Sequence, residues 1–237
     1  MRIAVDEAVA SAFPDFEIRL VTATGVRNRE PWPQLEAALA ELEGLVSADG
    51  FVAPTEDEEA ISSWFAAFRS FGTNPRRMRP SVYALLRRLA SSGRLPRITP
   101  AVDAYNLVSV SHRVPAGAFD LAKVPGPIEI RPARAGDSFT PLGEPDQAEE
   151  PRPGEVVYAA GSEVLTRHWN YRDSERTKVD ENSTAIVFVL ERVSASPALT
   201  KAVAEAGEQL AELVAPFAGE VSVRSLTPGS RSAELAG

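Results

Sequence analysis

Short runs with strand periodicity stand at both ends of this chain, and between them lie segments whose apolar residues recur at helical spacing. Arg2 to Val5 and Phe16 to Thr24 are alternating or β-branched runs, with Gly25 as a turn. Leu35, Leu39 and Leu42 form one helical stripe within Gln34 to Leu45. Thr55 and Glu58 have capping-box spacing, and the helix behind them turns Ile61, Trp64, Phe65 and Phe68 to one face before Gly72. Core packing accounts for those aromatics better than a cofactor site does. Ser81 is placed to cap a further helix, in which Val82, Leu85, Leu86 and Leu89 bury a stripe while Arg87 and Arg88 point elsewhere. Between Pro100 and His112, Val102, Tyr105 and Val108 keep helical intervals.

Beyond that point the period returns to two. Strands are expected at Ile128 to Arg131, Glu155 to Ala159, Glu163 to Arg167, Ala185 to Val193 and Val221 to Arg224. Pro141 to Pro153 is acidic and proline-rich, the composition of an exposed loop. Ser196-Pro197 supplies the cap and first residue of a long helix carrying Leu199, Val203, Leu210, Leu213, Val214 and Phe217. Nothing in the sequence demands two domains, so residues 1–226 are expected to form one, with Thr227 to Gly237 as a loose tail.

Cysteine is absent, which removes disulfides, thiolate metal sites and cysteine nucleophiles. No stretch approaches the ~20 apolar residues needed to span a bilayer, and a reducing, cytoplasmic setting without membrane contact is the expectation. The net charge of -8 argues against nucleic acid only until its distribution is considered. Arg69, Arg76, Arg77, Arg79, Arg87, Arg88, Arg94 and Arg97 occupy one segment that contains no Asp or Glu. That segment carries eight positive charges, and arginine's planar fork suits phosphate. A solvated helix face with structural arginines is the competing explanation.

Nucleotide-binding glycine loops, the nucleophile elbow and zinc-protease motifs are all missing. With only His112 and His168, a three-histidine metal site is impossible, and neither metal nor cofactor is expected. Two clusters stand out. The first runs from Val102 to Ser109, with Asp103, Asn106 and Ser109 set among apolar residues and His112, Gly117, Phe119 and Asp120 behind them. Asp103 and Asn106 could equally brace the chain around Pro100 and Pro115. The second is Arg167-His168-Trp169-Asn170-Tyr171-Arg172, whose residues are costly to bury without partners. Continued as a strand, it would turn Arg167, Trp169 and Tyr171 one way and His168, Asn170 and Arg172 the other. That second face suits a carboxylate, phosphate or ribose, while an Arg172–Asp173 pair would be purely structural.

Taken together, these segments resemble the B3/B4 domain of phenylalanyl-tRNA synthetase beta subunits, also met as free-standing bacterial proteins. The resemblance runs from about Phe71 to Glu191. It rests on Phe71-Gly72 with Asn74-Pro75, Arg79-Pro80-Ser81, Leu85-Leu86-Arg87-Arg88 and Leu95-Pro96 with Ile98. Val102-Asp103 with Tyr105-Asn106, Pro115 to Asp120, Gly126 with Ile128, Ile130-Arg131 and Gly154 to Tyr158 continue it. It implies an α+β fold, a layered β/β/α domain with a sandwich of unusual topology, also seen in a domain of tRNA(Ile) lysidine synthetase.

In the synthetase this domain hydrolyses tRNA mischarged with tyrosine, positioning water at the ester without a dedicated base. The resemblance therefore implies a trans-acting aminoacyl-tRNA deacylase, with no ligase activity expected from this chain alone. It implies His112, Asn170 and Arg172 as residues orienting water or the terminal adenosine. Asn106, Ser109, Gly117, Phe119, Arg167, His168 and Trp169 would shape the aminoacyl pocket, and Arg76, Arg77, Arg87 and Arg88 would hold tRNA phosphates. The partner implied is tRNA or aminoacyl-tRNA, not DNA. Where the synthetase reads Met-His-Ala-Phe-Asp, this chain has Ala116 to Asp120, with Gly117 in place of histidine. Arg167 to Arg172 stands where the synthetase has a glycine-rich strip, and a glutamate of its pocket falls near Phe188. A small or polar aminoacyl group fits such a pocket better than tyrosine. A non-catalytic tRNA- or amino-acid-binding module, and a protein-interaction domain with an acidic partner, are the alternatives.

Overall fold

The computed structural model describes residues 1–48 and 50–235. In chain order its elements are β1 (Arg2–Val5), α1 (Glu7–Ala12), β2 (Glu17–Thr24), α2 (Pro33–Ser47), α3 (Glu59–Ser70), α4 (Ser81–Ser92) and α5 (Pro100–His112). There follow β3 (Ala116–Asp120), β4 (Ile128–Pro132), β5 (Ser138–Phe139), β6 (Val156–Ala160), β7 (Glu163–Arg167) and β8 (Arg172–Asp173). The chain closes with β9 (Ala185–Arg192), α6 (Pro197–Val214), β10 (Glu220–Leu226) and β11 (Ser232–Glu234).

Two sheets result. The larger runs β11-β1-β4-β6-β7-β5, with β8 paired to β7, and the smaller runs β10-β2-β9-β3 and is antiparallel throughout. Alternation along β2 and β9 explains why they stack. Ile18, Leu20, Val187 and Val189 face the larger sheet and meet Ile3, Ile128, Ile130, Tyr158 and Leu165 there. The opposite face carries Val21, Ala23, Ile186, Phe188 and Leu190, which pack on α2, α4, α5 and α6. The order of layers is thus sheet, sheet, helices, the α+β arrangement expected. Apolar burial on both faces of one sheet joins the three layers.

The aromatics of α3 are core residues, as expected: Trp64 and Phe68 plug the end of the inter-sheet space, while Ile61 and Phe65 face the helices. Several local details differ from expectation. Glu58 does reach back to the Thr55 amide at 2.9 Å, but the helix begins only at Glu59. Ser81 is the first residue of α4 and caps nothing; its amide donates to the Asn170 carbonyl at 2.9 Å. Ser196 caps α6 as expected. The loose tail is a correction: Ser232–Glu234 pairs antiparallel with β1, and Leu235 is buried in the inter-sheet core. A three-residue edge strand is too short for its alternation to register in sequence. Among the described residues, no helix is long and apolar enough to cross a membrane.

Candidate functional site

Beyond Arg167 the chain does not continue as a strand. β7 and β8 pair through Arg167 and Arg172, and the four residues between them form a turn. His168 and Trp169 take φ of 49° and 70°, a left-handed region that costs non-glycine residues on the order of 1–3 kcal/mol each. The turn breaks the expected alternation. It sends Trp169 and Asn170, neighbours in sequence, to the same carboxylate: Trp169 Nε1 donates to Glu191 Oε1 and Asn170 Nδ2 to Oε2, both at 2.9 Å. The Tyr158 hydroxyl also donates to Oε1. Glu191 lies on the inter-sheet face of β9, two residues beyond Val189, and is almost fully buried. Burial pushes its carboxyl up to about 7, against the pull of the Tyr158, Asn170 and Trp169 donors, and the Asp173 carboxylate raises it further.

A cavity of about 40 Å³ opens beside this network. Gly117, Phe119, Trp169, Asn170, Asp173 and Ser81 are among its lining residues. Two buried polar atoms on these residues, Ser81 Oγ and Asn170 Oδ1, have no hydrogen-bond partner among the described residues. Asp173 accepts from Thr166 Oγ1 at 2.7 Å through Oδ1, and burial pushes its carboxyl up to about 6 against that bond. Its Oδ2 turns toward Gly117: a Cβ there would lie 3.9 Å from it and 3.7 Å from Val189 Cγ2. Glycine is therefore not forced by the backbone, but any long side chain at this position would fill the cavity. The volume suits a water molecule with several polar partners, and is too small for an amino-acid side chain of any length.

Of the residues singled out in the sequence, Gly117, Phe119, Trp169 and Asn170 meet here. The others lie elsewhere. His112, at the end of α5, bonds to Gln209 of α6 at 2.7 Å. Ser109 donates to the Val114 carbonyl, and Asn106 is buried on the same helix outside the cavity lining. Asp103 braces the chain, accepting from the Ile98 amide at 2.8 Å. Arg167 is clamped by Glu155 at 2.8 and 2.9 Å and by Glu149. His168 is buried with Nδ1 2.9 Å from Thr73 Oγ1, and burial lowers its pKa to about 4 despite nearby Glu155. Arg172 reaches away to Glu144 at 2.7 Å and to the Leu142 carbonyl. The acidic loop thus neutralises two arginines of the strip, a tertiary pairing that no local pattern encodes.

Glu191, Asp173, Thr166 and Tyr158 complete the site without having been predicted. The signal for Glu191 was its place in the alternation Val187-Val189-Glu191, a carboxylate continuing an apolar face.

All eight arginines between Arg69 and Arg97 are exposed. Arg76 pairs with Glu56 and Arg97 with Glu43. Among the described residues, no carboxylate lies within ion-pair distance of Arg77, Arg79, Arg87, Arg88 or Arg94, and Arg87 stacks on the Tyr83 ring. Among the described residues, no group of three or more His, Asp or Glu side chains is gathered as for a metal ion.

Fold and site define an α+β protein with buried carboxylates and a water-sized cavity between its two sheets. The chain belongs to the B3/4 domain family, whose model matches residues 63–210. It is 33% identical over 203 residues to the Phenylalanine--tRNA ligase beta subunit of Nocardia farcinica, covering 77% of this chain and 23% of the relative. The beta subunit of Corynebacterium jeikeium is 29% identical over 146 residues, 61% of this chain and 16% of that one. The chain thus spans less than a quarter of these curated relatives. Among solved structures, an N-terminal fragment of the phenylalanyl-tRNA synthetase beta-subunit from Pyrococcus horikoshii covers 94% of this chain, and 50% of the fragment is matched. The TM-score is 0.39 and the identity 14%.

Proposed function

We propose that this protein binds the acceptor end of an aminoacyl-tRNA and hydrolyses the aminoacyl ester in trans. The observation that carries the reading is the pair of unsatisfied buried atoms, Ser81 Oγ and Asn170 Oδ1, at a water-sized cavity beside the Glu191 carboxyl. Groups so placed can hold a water for attack on a carbonyl carbon. The bond to the ribose oxygen then breaks, and that oxygen takes up a proton. A carboxyl with a pKa of about 7 is suited to passing protons at neutral pH. The exposed Arg77, Arg79, Arg87, Arg88 and Arg94 supply unspent charge for phosphates. Membership of a family whose curated relatives are tRNA ligase subunits supports tRNA as the partner.

The test is a panel of aminoacyl-tRNAs incubated with the protein. At least one is expected to lose its amino acid faster than in buffer, and Asn170→Ala should slow that loss by roughly 10²-fold, as for loss of an acceptor that positions the attacking water. Uniform background rates across the panel would reject the enzyme reading. Salt-sensitive tRNA binding without turnover would favour a binding module instead.

A further inference from the structure

Asp173 borders a second, larger space. A cavity of about 270 Å³, whose lining includes Asp173 but not Glu191, is walled by Val102, Ala118, Leu142 and Val179, with Tyr105 on one side. It lies at β3, the edge strand of the smaller sheet, where Ala118 turns to the helix side and α5 presents Val102 and Tyr105. The walls are chiefly apolar, and the volume leaves room for a branched or aromatic side chain with its α-carbon group.

The charges around it are one-sided. Asp173 has Thr166 as its hydrogen-bond donor, and that bond leaves Oδ2 unused. Arg172, its neighbour, is turned away to Glu144. Lys178, on the cavity rim, is held by Glu175, and Lys123 takes up Asp180 at 2.7 Å. Glu191 and the Tyr105 and Tyr158 phenols are titratable groups near Asp173, and all three feel it as a like charge or as a bar to ionisation. Among the described residues Asp173 pairs with no Lys or Arg, and such a partly buried carboxylate, opening on a chiefly apolar cavity, favours a ligand that brings its own positive charge.

We propose that this cavity is a binding site for an apolar primary ammonium, with Asp173 accepting from the ammonium and the apolar walls taking the attached side chain. That the ammonium is the α-amino group of an aminoacyl ester rests on the function proposed above; the selectivity for an apolar amine does not. In that setting the ester carbon would lie toward Gly117 and Asn170, because Asp173 lines both cavities. The substrate class is then an apolar aminoacyl group, not the small or polar one suggested by the bulk of Trp169.

Isothermal titration of the full chain with three non-hydrolysable probes tests this. L-leucinamide carries both ammonium and side chain, 4-methylpentanamide lacks the ammonium, and glycinamide lacks the side chain. Leucinamide is expected to bind at least tenfold tighter than either of the others, and Asp173→Asn should weaken it tenfold. Equal binding of leucinamide and 4-methylpentanamide, or no binding of leucinamide, would overturn the proposal. So would a folded Asp173→Asn protein that binds leucinamide as the parent does. Should that variant fail to fold, the comparison of probes on the unaltered protein still decides. Amine selectivity without ester hydrolysis would leave this inference standing and remove the deacylase; hydrolysis without amine selectivity would do the reverse.

Discussion

The Trp169 indole and the Glu191 carboxylate meet at 2.9 Å across the inter-sheet core, one from a strained turn and the other from the middle sheet's β9. With the Tyr158 and Asn170 donors, this contact ties the β7–β8 turn to the opposite sheet. Glu191→Ala would strand three buried donors at once. Each costs about 1–3 kcal/mol when left unpaired, so a total loss on the order of 3–5 kcal/mol is expected in urea denaturation at neutral pH. A loss below about 1 kcal/mol would mean the network contributes little.

The same residue predicts a pH dependence. Its folded pKa of about 7 lies above the ordinary 4.5, so its contribution is complete below pH 4.5 and is lost as pH rises through 7. Each pH unit in that window is worth about 1.4 kcal/mol, on the order of 3 kcal/mol in all. In Glu191→Gln this component should vanish, and the variant should gain on the parent from pH 4.5 to 7. Parallel stability curves would contradict the assignment.

His168 acts in the opposite direction. Burial lowers its pKa from 6.5 to about 4, so its contribution is complete above pH 6.5 and is lost as pH falls through 4. His168→Asn keeps a residue tolerant of the left-handed backbone and cannot titrate. The variant should lose less stability than the parent between pH 6.5 and 4, measured by denaturant midpoints across that range.

Arg87 and Arg88 are exposed, so their double replacement by alanine should leave the melting temperature within a degree or two. tRNA binding should weaken by about tenfold, and the slope of log affinity against log salt should fall by about 1–2. Filter binding at several salt concentrations measures both. An unchanged slope would place the phosphate contacts elsewhere.

Leu235, beyond the edge strand β11, is almost fully buried. Leu235→Ala should therefore cost about 2–3 kcal/mol, whereas a loose tail would show no change in thermal unfolding.

Helices and long strands are legible because their apolar periods are sustained: β2 and β9 lie within a residue of expectation, and α3 and α6 within about a turn. β3, β5, β8 and β11 were missed. β5, β8 and β11 have two or three residues, too few for alternation to register, and the five-residue β3 has Gly117 as its second residue. The site was half legible. Trp169 and Asn170 stood out as polar and aromatic residues crowded in one stretch, but the expected strand period misjudged where they point. His168 and Arg167 look equally functional in sequence; the structure pairs half-buried Arg167 with Glu155 and Glu149 and buried His168 with Thr73, partners distant in sequence. Glu191 escapes notice because a lone carboxylate near a strand end is ordinarily solvated, and Asp173, expected as a structural partner of Arg172, bonds instead to Thr166 while Arg172 pairs with Glu144.

Cleavage of an aminoacyl ester between Asn170 and Asp173 can be checked with a crystal structure holding a non-hydrolysable 3′-leucylamido-adenosine. The amide carbonyl carbon is expected about 3–3.5 Å from a water held by Ser81 and Asn170, with the ammonium on Asp173 Oδ2. A ligand bound outside these two cavities, or one whose carbonyl faces solvent, would contradict it.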